Sequence, residues 1–281
     1  MTTLLEKMNM DMELRGFSPK TVKVYSQSVE RIASFHGVEP ENLTVDQVRD
    51  YLHHCIIVRN LSRSYINTSY SAIKFFFETT LKQQWSMTDI PRVKKDVKLP
   101  VALSPHQVKQ LFDATSNLKH KTMFMVAYSA GLRVGELLDL RVSDIHSSTN
   151  CIRVRKGKGR KERYTLLSDS FLIVLRAYYK RYKPTDFLFP NPITGERLTS
   201  RTIQQCFSVQ KVLLGFPEDA TLHSLRHSFA THLLSSGVDV VRIQKLMGHK
   251  SIRTTSVYLH LTNQDLKHVI SPLDAWEVFD D

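Results

Sequence analysis

The stretch LHSLRHSFATHLLSSGVDVVRIQKLMGHKSIRTTSVYLH, residues 222–260, decides how the chain is read. His223 and Arg226 stand three apart on a helical pattern, so both project from one face. Leu222, Leu225, Phe229, Leu233 and Leu234 form the core face, and His227 and His232 are read as lying off the His223 face. The helix ends at Ser236-Gly237. A second apolar-periodic run from Val240 to Met247 stops at Gly248, which leaves His249 just past its end. Ser251 opens a short turn toward Tyr258, the only tyrosine after Tyr182. A cation, two histidines and a tyrosine are the parts needed to attack a phosphodiester without a metal.

Outward from that stretch, composition narrows the class. A chain of 281 residues with 42% hydrophobic content can bury a substantial core and has the length of two ordinary domains. The formal charge of +12 favours a polyanionic partner, nucleic acid or anionic membrane, with a merely basic soluble protein as the plain alternative. Cys55, Cys151 and Cys206 are odd in number and far apart, which gives neither a disulfide framework nor metal-ligand spacing; buried reduced thiols are expected. The first residues lack the apolar segment of a signal peptide, and no apolar run is long enough to span a membrane, so a cytoplasmic protein without membrane contacts is expected.

Residues 1–85 read as a compact module of about four helices. Ser18-Pro19 is an N-cap followed by proline at the first helical position, and Thr44 with Gln47 makes a capping box. Ser62 or Ser64 opens the fourth helix. Lys20, Lys23, Arg59, Arg63, Ser64, Asn67 and Lys74 are read as exposed polar positions, a face suited to phosphates or simply to solvent. Residues 86–103 break the periodicity with two prolines and a Lys94-Lys95 pair, an extended basic linker.

Residues 104–281 form the second module, opened by Ser104-Pro105. A strongly apolar helix ends at Gly131, and a further helix over residues 132–140 carries Arg133 in its first turn and Glu136 three later. Alternation of Ile152 and Val154 with Arg153 and Arg155, a Gly157-Lys158-Gly159 turn and a return strand predict a β-hairpin. The fold class is therefore mainly α with a small β-hairpin. Residues 153–163 hold seven basic residues and one acid, net +6, half the surplus of the chain. A solvated charged loop is the plain reading. Against it, a hairpin with a glycine-framed lysine at its tip delivers Lys158 to one place. The run lacks the spacing and the strand-then-helix flanks of a nucleotide-binding loop.

These motifs together resemble the tyrosine recombinases, the family of phage integrases and Xer-type recombinases, along essentially the whole chain. The resemblance rests on SAGLRVGELLDL with Arg133, KGKGRKER with Lys158, LHSLRHSFATHLL with His223 and Arg226, and LMGHKSIRTTSVYLH with His249 and Tyr258, in that order. It implies a helical, SAM-like DNA-binding domain and a catalytic domain that together clamp DNA. The activity implied is site-specific cutting and rejoining through a 3′-phosphotyrosine.

In that chemistry Arg133 and Arg226 clamp the phosphate oxygens with planar paired donors, Tyr258 attacks phosphorus, and His223 serves as its base. Lys158 protonates the leaving 5′-oxygen, His249 donates a hydrogen bond to phosphate, and Glu136 supports Arg133. Lys94, Lys95, Arg155, Lys156, Arg160 and Lys161 are further candidates for contact with DNA phosphates. The covalent link conserves bond energy, so the resemblance implies neither a cofactor nor a metal. It also implies double-stranded DNA as partner, a tetrameric assembly on it, and exchange of the apolar tail, residues 266–279, between protomers. A second recombinase or accessory DNA-bending proteins fit as further partners. The compact form, without an integron-type added helix or an arm-binding extension, is closest to Xer proteins and mobile-element recombinases. Two other classes compete: a silent DNA-binding protein of the same fold, which the intact set of six residues opposes, and a topoisomerase-like relaxing enzyme, which the long apolar tail opposes.

Overall fold

The computed structural model describes residues 3–84, 92–94, 99–155 and 162–261. The chain divides into two packed units, Met1–Val97 and Lys98–Asp281. The first is all-helical. Its helices are α1 (Leu4–Leu14), α2 (Pro19–His36), α3 (Val45–Ile57) and α4 (Arg63–Phe75). The side chains of Ser18, Thr44 and Ser62 each accept from a backbone N–H in the first turn of the helix they open. Met8, Met12, Val29, Ile32, Tyr51, Tyr70 and Phe76 fill the core. Helix α4 runs on into a wider π-helical turn, Phe76–Leu81.

Asn67 is a correction: it is buried rather than exposed, and its amide donates to the Val93 carbonyl. Arg63 likewise donates to the Lys94 carbonyl. Helix α4 thus holds the start of the linker by its backbone.

The second unit contains α5 (Pro105–Ala114), α6 (Leu118–Ser129), α7 (Val134–Leu138), α8 (Asp169–Tyr182), α9 (Ser200–Leu213), α10 (Leu222–Ser235), α11 (Val240–Met247) and α12 (Ile252–Ser256). Strands β1 (Ile145–His146), β2 (Cys151–Val154) and β3 (Arg163–Leu166) form an antiparallel sheet in the order β1-β2-β3. The fold is therefore mainly helical with a small sheet, as the sequence predicts, with one short strand more than the hairpin. Cys151 pairs with Leu166 and Val154 with Arg163. Ile152 and Val154 are buried beneath the sheet while Arg153 and Arg155 reach Asp144.

Helix α7 is shorter than expected, because Arg133 caps it from outside instead of sitting in its first turn. Helix α10 is the axis of the unit. Leu222 and Leu225 enter the large core around Phe124, Phe171 and Phe207, while Phe229, Ala230 and Leu234 enter a smaller core with Ile243, Met247 and the Tyr258 ring. The cysteines are free thiols; Cys55 is buried, but Cys151 and Cys206 are only half-buried. Among the described residues no helix is long and apolar enough to cross a membrane.

Gly131 ends the α6 segment at φ +59°, and a Cβ there would lie 2.3 Å from the Phe229 ring. That ring is buried and cannot give way. Left-handed strain and overpacking together predict that Gly131→Ala costs about 2–5 kcal/mol. Differential scanning calorimetry should show the melting point of this unit lowered by roughly 10 °C; an unchanged melt would contradict the packing described.

Candidate active site

Arg133, His223, Arg226, His227, His249 and Tyr258 line one open cavity of about 350 Å³, together with Pro100, Thr254 and Val257. Four local devices deliver them. Arg133 precedes α7, and its backbone N–H donates to the Glu136 carboxylate, which fixes the residue where the α6 segment turns into α7. His223, Arg226 and His227 come from the first two turns of α10. Gly248, at φ +61°, ends α11 in the left-handed conformation and turns His249 inward. Tyr258 sits in the 3-10 turn Val257–Leu261 that follows α12.

Beneath the cavity three guanidiniums converge on one carboxylate. Arg133 Nη1 lies 2.7 Å from Glu136 Oε1. Arg163 grips both oxygens of Glu136 at 2.9 and 2.8 Å. Arg226 Nη1 lies 3.6 Å from Glu136 Oε2. The C-terminal end of α11 supplies the remaining acceptors: Arg163 donates to the Leu246 carbonyl, Arg226 to that of Met247, and Arg133 weakly to those of Met247 and Gly248. Arg226 also donates to the Gly131 carbonyl. Carbonyls at a helix C-terminus carry partial negative charge, so they favour cations there.

Burial alone would raise the Glu136 carboxyl, but Arg163 first and Arg133 second outweigh it and hold it at about 2. Arg226 is 1% exposed, and burial and Arg133 push it down to about 9, which leaves it a cation at neutral pH. Glu136 is therefore no surface ion pair. Three cations against one anion leave a local surplus of two positive charges, turned toward the cavity by Arg133 and Arg226.

His227 and His249 are neutral in this setting. Burial lowers His223, with Arg226 and Arg133 adding to it. Burial, then Arg226, Arg133 and Arg163, bring His249 to about 3; burial, then His223 and Arg226, bring His227 to about 4. Neutral imidazole offers one donor and one acceptor. His249 is steadied by a 2.9 Å contact between Nδ1 and the Thr255 hydroxyl. Burial raises the Tyr258 phenol, against a downward pull from Arg226 and Arg133.

The free-energy consequence of the histidine shifts has a definite sign. Their folded pKa values lie below the ordinary 6.5, so the unfolded chain binds more protons once pH drops below that value. Their contribution to stability is thus fully present above about 6.5 and is lost as pH falls toward about 4 for His227 and about 3 for His249. An NMR titration should find the His227 and His249 imidazoles still neutral at about pH 5. Titration of either near 6.5 would contradict the buried, cation-flanked setting.

The structure also corrects the reading of α10. His227 does not lie off the His223 face: the two rings meet edge to face at 4.7 Å, as an i,i+4 pair must. Among the described residues the hydrogen-bond partner of the Tyr258 hydroxyl is His227, with Nδ1 at 2.9 Å, and not His223. The i,i+4 spacing was the signal that could have found it. Arg163 was likewise read only as one member of a basic run; its pairing with Glu136 crosses 27 positions and leaves no local trace.

Lys158, Lys156, Arg160, Lys161, Lys95 and the tail at 266–279 lie outside the described residues. The strands β2 and β3 flank the segment that contains Lys158. Lys94 is exposed, while Arg155 is tied to Asp144 at 2.5 Å and to the Ser143 hydroxyl at 3.0 Å. Among the described residues no group of His, Cys, Asp or Glu is placed to hold a metal ion.

Comparison with known proteins assigns the chain to a family. The phage integrase family matches residues 102–265, and the N-terminal SAM-like domain of phage integrases matches residues 4–87. The chain belongs to the phage integrase family of tyrosine recombinases, enzymes that cut and rejoin DNA strands. It is 36% identical over 275 residues to a Sinorhizobium fredii protein that carries the name integrase/recombinase y4qK, covering 98% of this chain and 89% of the relative. It is 32% identical to tyrosine recombinase XerD of Oceanobacillus iheyensis, covering 90% of this chain and 91% of that one. Among solved structures, a XerA recombinase is 28% identical with a TM-score of 0.55, covering 95% and 96% of the two chains.

Proposed function

We propose that Tyr258 is the nucleophile of this recombinase and that Arg133 and Arg226 hold the phosphate it attacks. The observation that carries the reading is the meeting of the Tyr258 side chain with both guanidiniums around one cavity. The two cations are buried or half-buried on a shared carboxylate, so their positions are set before DNA arrives. Charge grows on the nonbridging oxygens as phosphorus becomes five-coordinate, and fixed donors aimed at that charge stabilise the transition state most. The Tyr258 oxygen bonds to phosphorus as the bond to the 5′-oxygen breaks, leaving a 3′-phosphotyrosine. Lys158 protonates the leaving oxygen, and His223 and His249 take part through hydrogen bonds, His223 being the base that the resemblance implies.

The remaining parts follow the family. Residues 1–85 are the SAM-like DNA-binding domain, 86–103 the linker, and 104–281 the catalytic domain. Double-stranded DNA is the substrate, and Lys94, Lys95, Arg155, Lys156, Arg160 and Lys161 lie along its phosphates. Protomers assemble as a tetramer on DNA and exchange their apolar tails, in a cytoplasmic setting. Accessory DNA-bending proteins or a second recombinase would act through that assembly.

The test is a trap. A pool of nicked duplexes with randomised central sequence is incubated with the protein, and covalent adducts are recovered on denaturing gels and sequenced. The nick lets the cut fragment diffuse away, so adduct accumulates on a defined set of sequences. No adduct on any duplex, with DNA still bound, would favour a silent DNA-binding protein of this fold.

A further inference from the structure

We propose that His227 is a positioning residue for the nucleophile, holding the Tyr258 hydroxyl so that its lone pairs face the phosphate site. The inference rests on the reading of Tyr258 as nucleophile. Its basis is the 2.9 Å contact between His227 Nδ1 and the Tyr258 oxygen. A phenol is a stronger acid than a neutral imidazole N–H, so the phenol donates and Nδ1 accepts. That choice puts the imidazole proton on Nε2 and turns the phenol O–H toward α10, which also carries His223, the proposed base that takes the proton on attack. The oxygen lone pairs then point away from α10, to the cavity that Arg133, Arg226 and His249 line.

His227 is well built for this. It follows Arg226 directly and stands between Arg226 and Ser228, both buried, on the central helix of the unit. The His223 ring packs edge-on against it at 4.7 Å and limits its rotation. From the other side, the Tyr258 ring is fixed in the small core with Phe229 and Met247 and lies nearly parallel to His249, 13° between planes. What packing leaves free at Tyr258 is the rotation of the hydroxyl about its C–O bond. The His227 contact removes that freedom. In-line attack depends on such orientation, and small errors in it cost rate far more than affinity.

The experiment uses the full-length protein and a nicked duplex recovered from the trap described above. Single-turnover adduct formation is measured for wild type, His227→Phe and His227→Asn, with half-saturating protein concentration and thermal melting recorded for each. Phenylalanine fills the space without an acceptor. Asparagine places an amide oxygen near the position of Nδ1 but cannot act as a base. His227→Phe should slow the chemical step by about 10- to 100-fold at unchanged half-saturation. His227→Asn should recover most of that loss. A wild-type rate in His227→Phe would overturn the proposal, as would a faster one, which would mean that the contact restrains Tyr258. Equal defects in both variants, with normal melting, would also overturn it, because imidazole basicity and not an acceptor would then be required. Failure of wild type to form any adduct would strike the nucleophile assignment itself, a separate outcome.

Discussion

Tyr258→Phe should bind DNA as wild type does and form no covalent adduct, a loss of at least about 10⁴-fold in the single-turnover rate. The variant removes one oxygen atom. The ring remains in the small core with Phe229, Leu234, Ile243 and Met247, so the fold should tolerate it. The lost hydrogen bond to His227 leaves a half-buried neutral imidazole short of one partner, a cost on the order of 1 kcal/mol. The contrast between a small stability change and a complete loss of adduct is what separates a nucleophile from a packing residue. Adduct in Tyr258→Phe at even a hundredth of the wild-type rate would move the nucleophile elsewhere. No other tyrosine follows Tyr182 in the chain, so this family's chemistry would then lack its acceptor.

Glu136→Gln should also be damaging, and for a different reason. The substitution keeps the shape and deletes the single anion that Arg133, Arg163 and Arg226 share. Arg226 is 1% exposed and has no water to turn to. Breaking a buried ion pair by removing one partner costs about 3–5 kcal/mol. The melting point of the catalytic unit should fall on the order of 10 °C. Adduct formation should drop by about 10²-fold or more even below the melt, because the two clamp arginines lose their common anchor. The pH dependence runs in the same direction as that of the histidines, in a lower window. The Glu136 carboxyl sits at about 2, below its ordinary 4.5, so its contribution is intact above about 4.5 and is lost as pH falls through about 2. Glu136→Gln should therefore flatten the acid limb of the stability profile below about pH 4.5. A variant with wild-type melting and rate would show that the arginines are held by the α11 carbonyls alone.

Much of the architecture was legible because local chemistry enforced it. Ser18-Pro19, Thr44 with Gln47, Ser62 and Ser104-Pro105 mark helix starts by side chains that accept orphan backbone donors, and the structure shows those bonds. The hairpin followed from a period of two in Ile152 and Val154. The π-helical turn at Phe76–Leu81 left no sign, since an apolar run packs equally well with one residue inserted per turn. Asn67 looked exposed because its partner, the Val93 carbonyl, is backbone from the linker.

At the site, residue types were readable and connections were not. The sequence places Arg133 and Glu136 three apart, so their pairing was expected, but the convergence of Arg163 and Arg226 on the same carboxylate is made by tertiary packing. His227 was misplaced by a periodicity argument that favoured the i,i+3 pair over the i,i+4 pair on the same face. The stretch at 222–260 therefore carries the proposed nucleophile Tyr258 and Arg226, while the carboxylate that Arg133 and Arg226 share comes from α7.

The proposed mechanism stands on the covalent joining of Tyr258 to DNA. Its most direct test is peptide mapping of the trapped adduct: nuclease digestion down to the linked nucleotide, proteolysis, and mass spectrometry of the modified peptide. A nucleotide remnant should be found on Tyr258, attached through its phenolic oxygen to a 3′-phosphate. A remnant on any other residue, or a 5′-phosphate link at Tyr258, would contradict it.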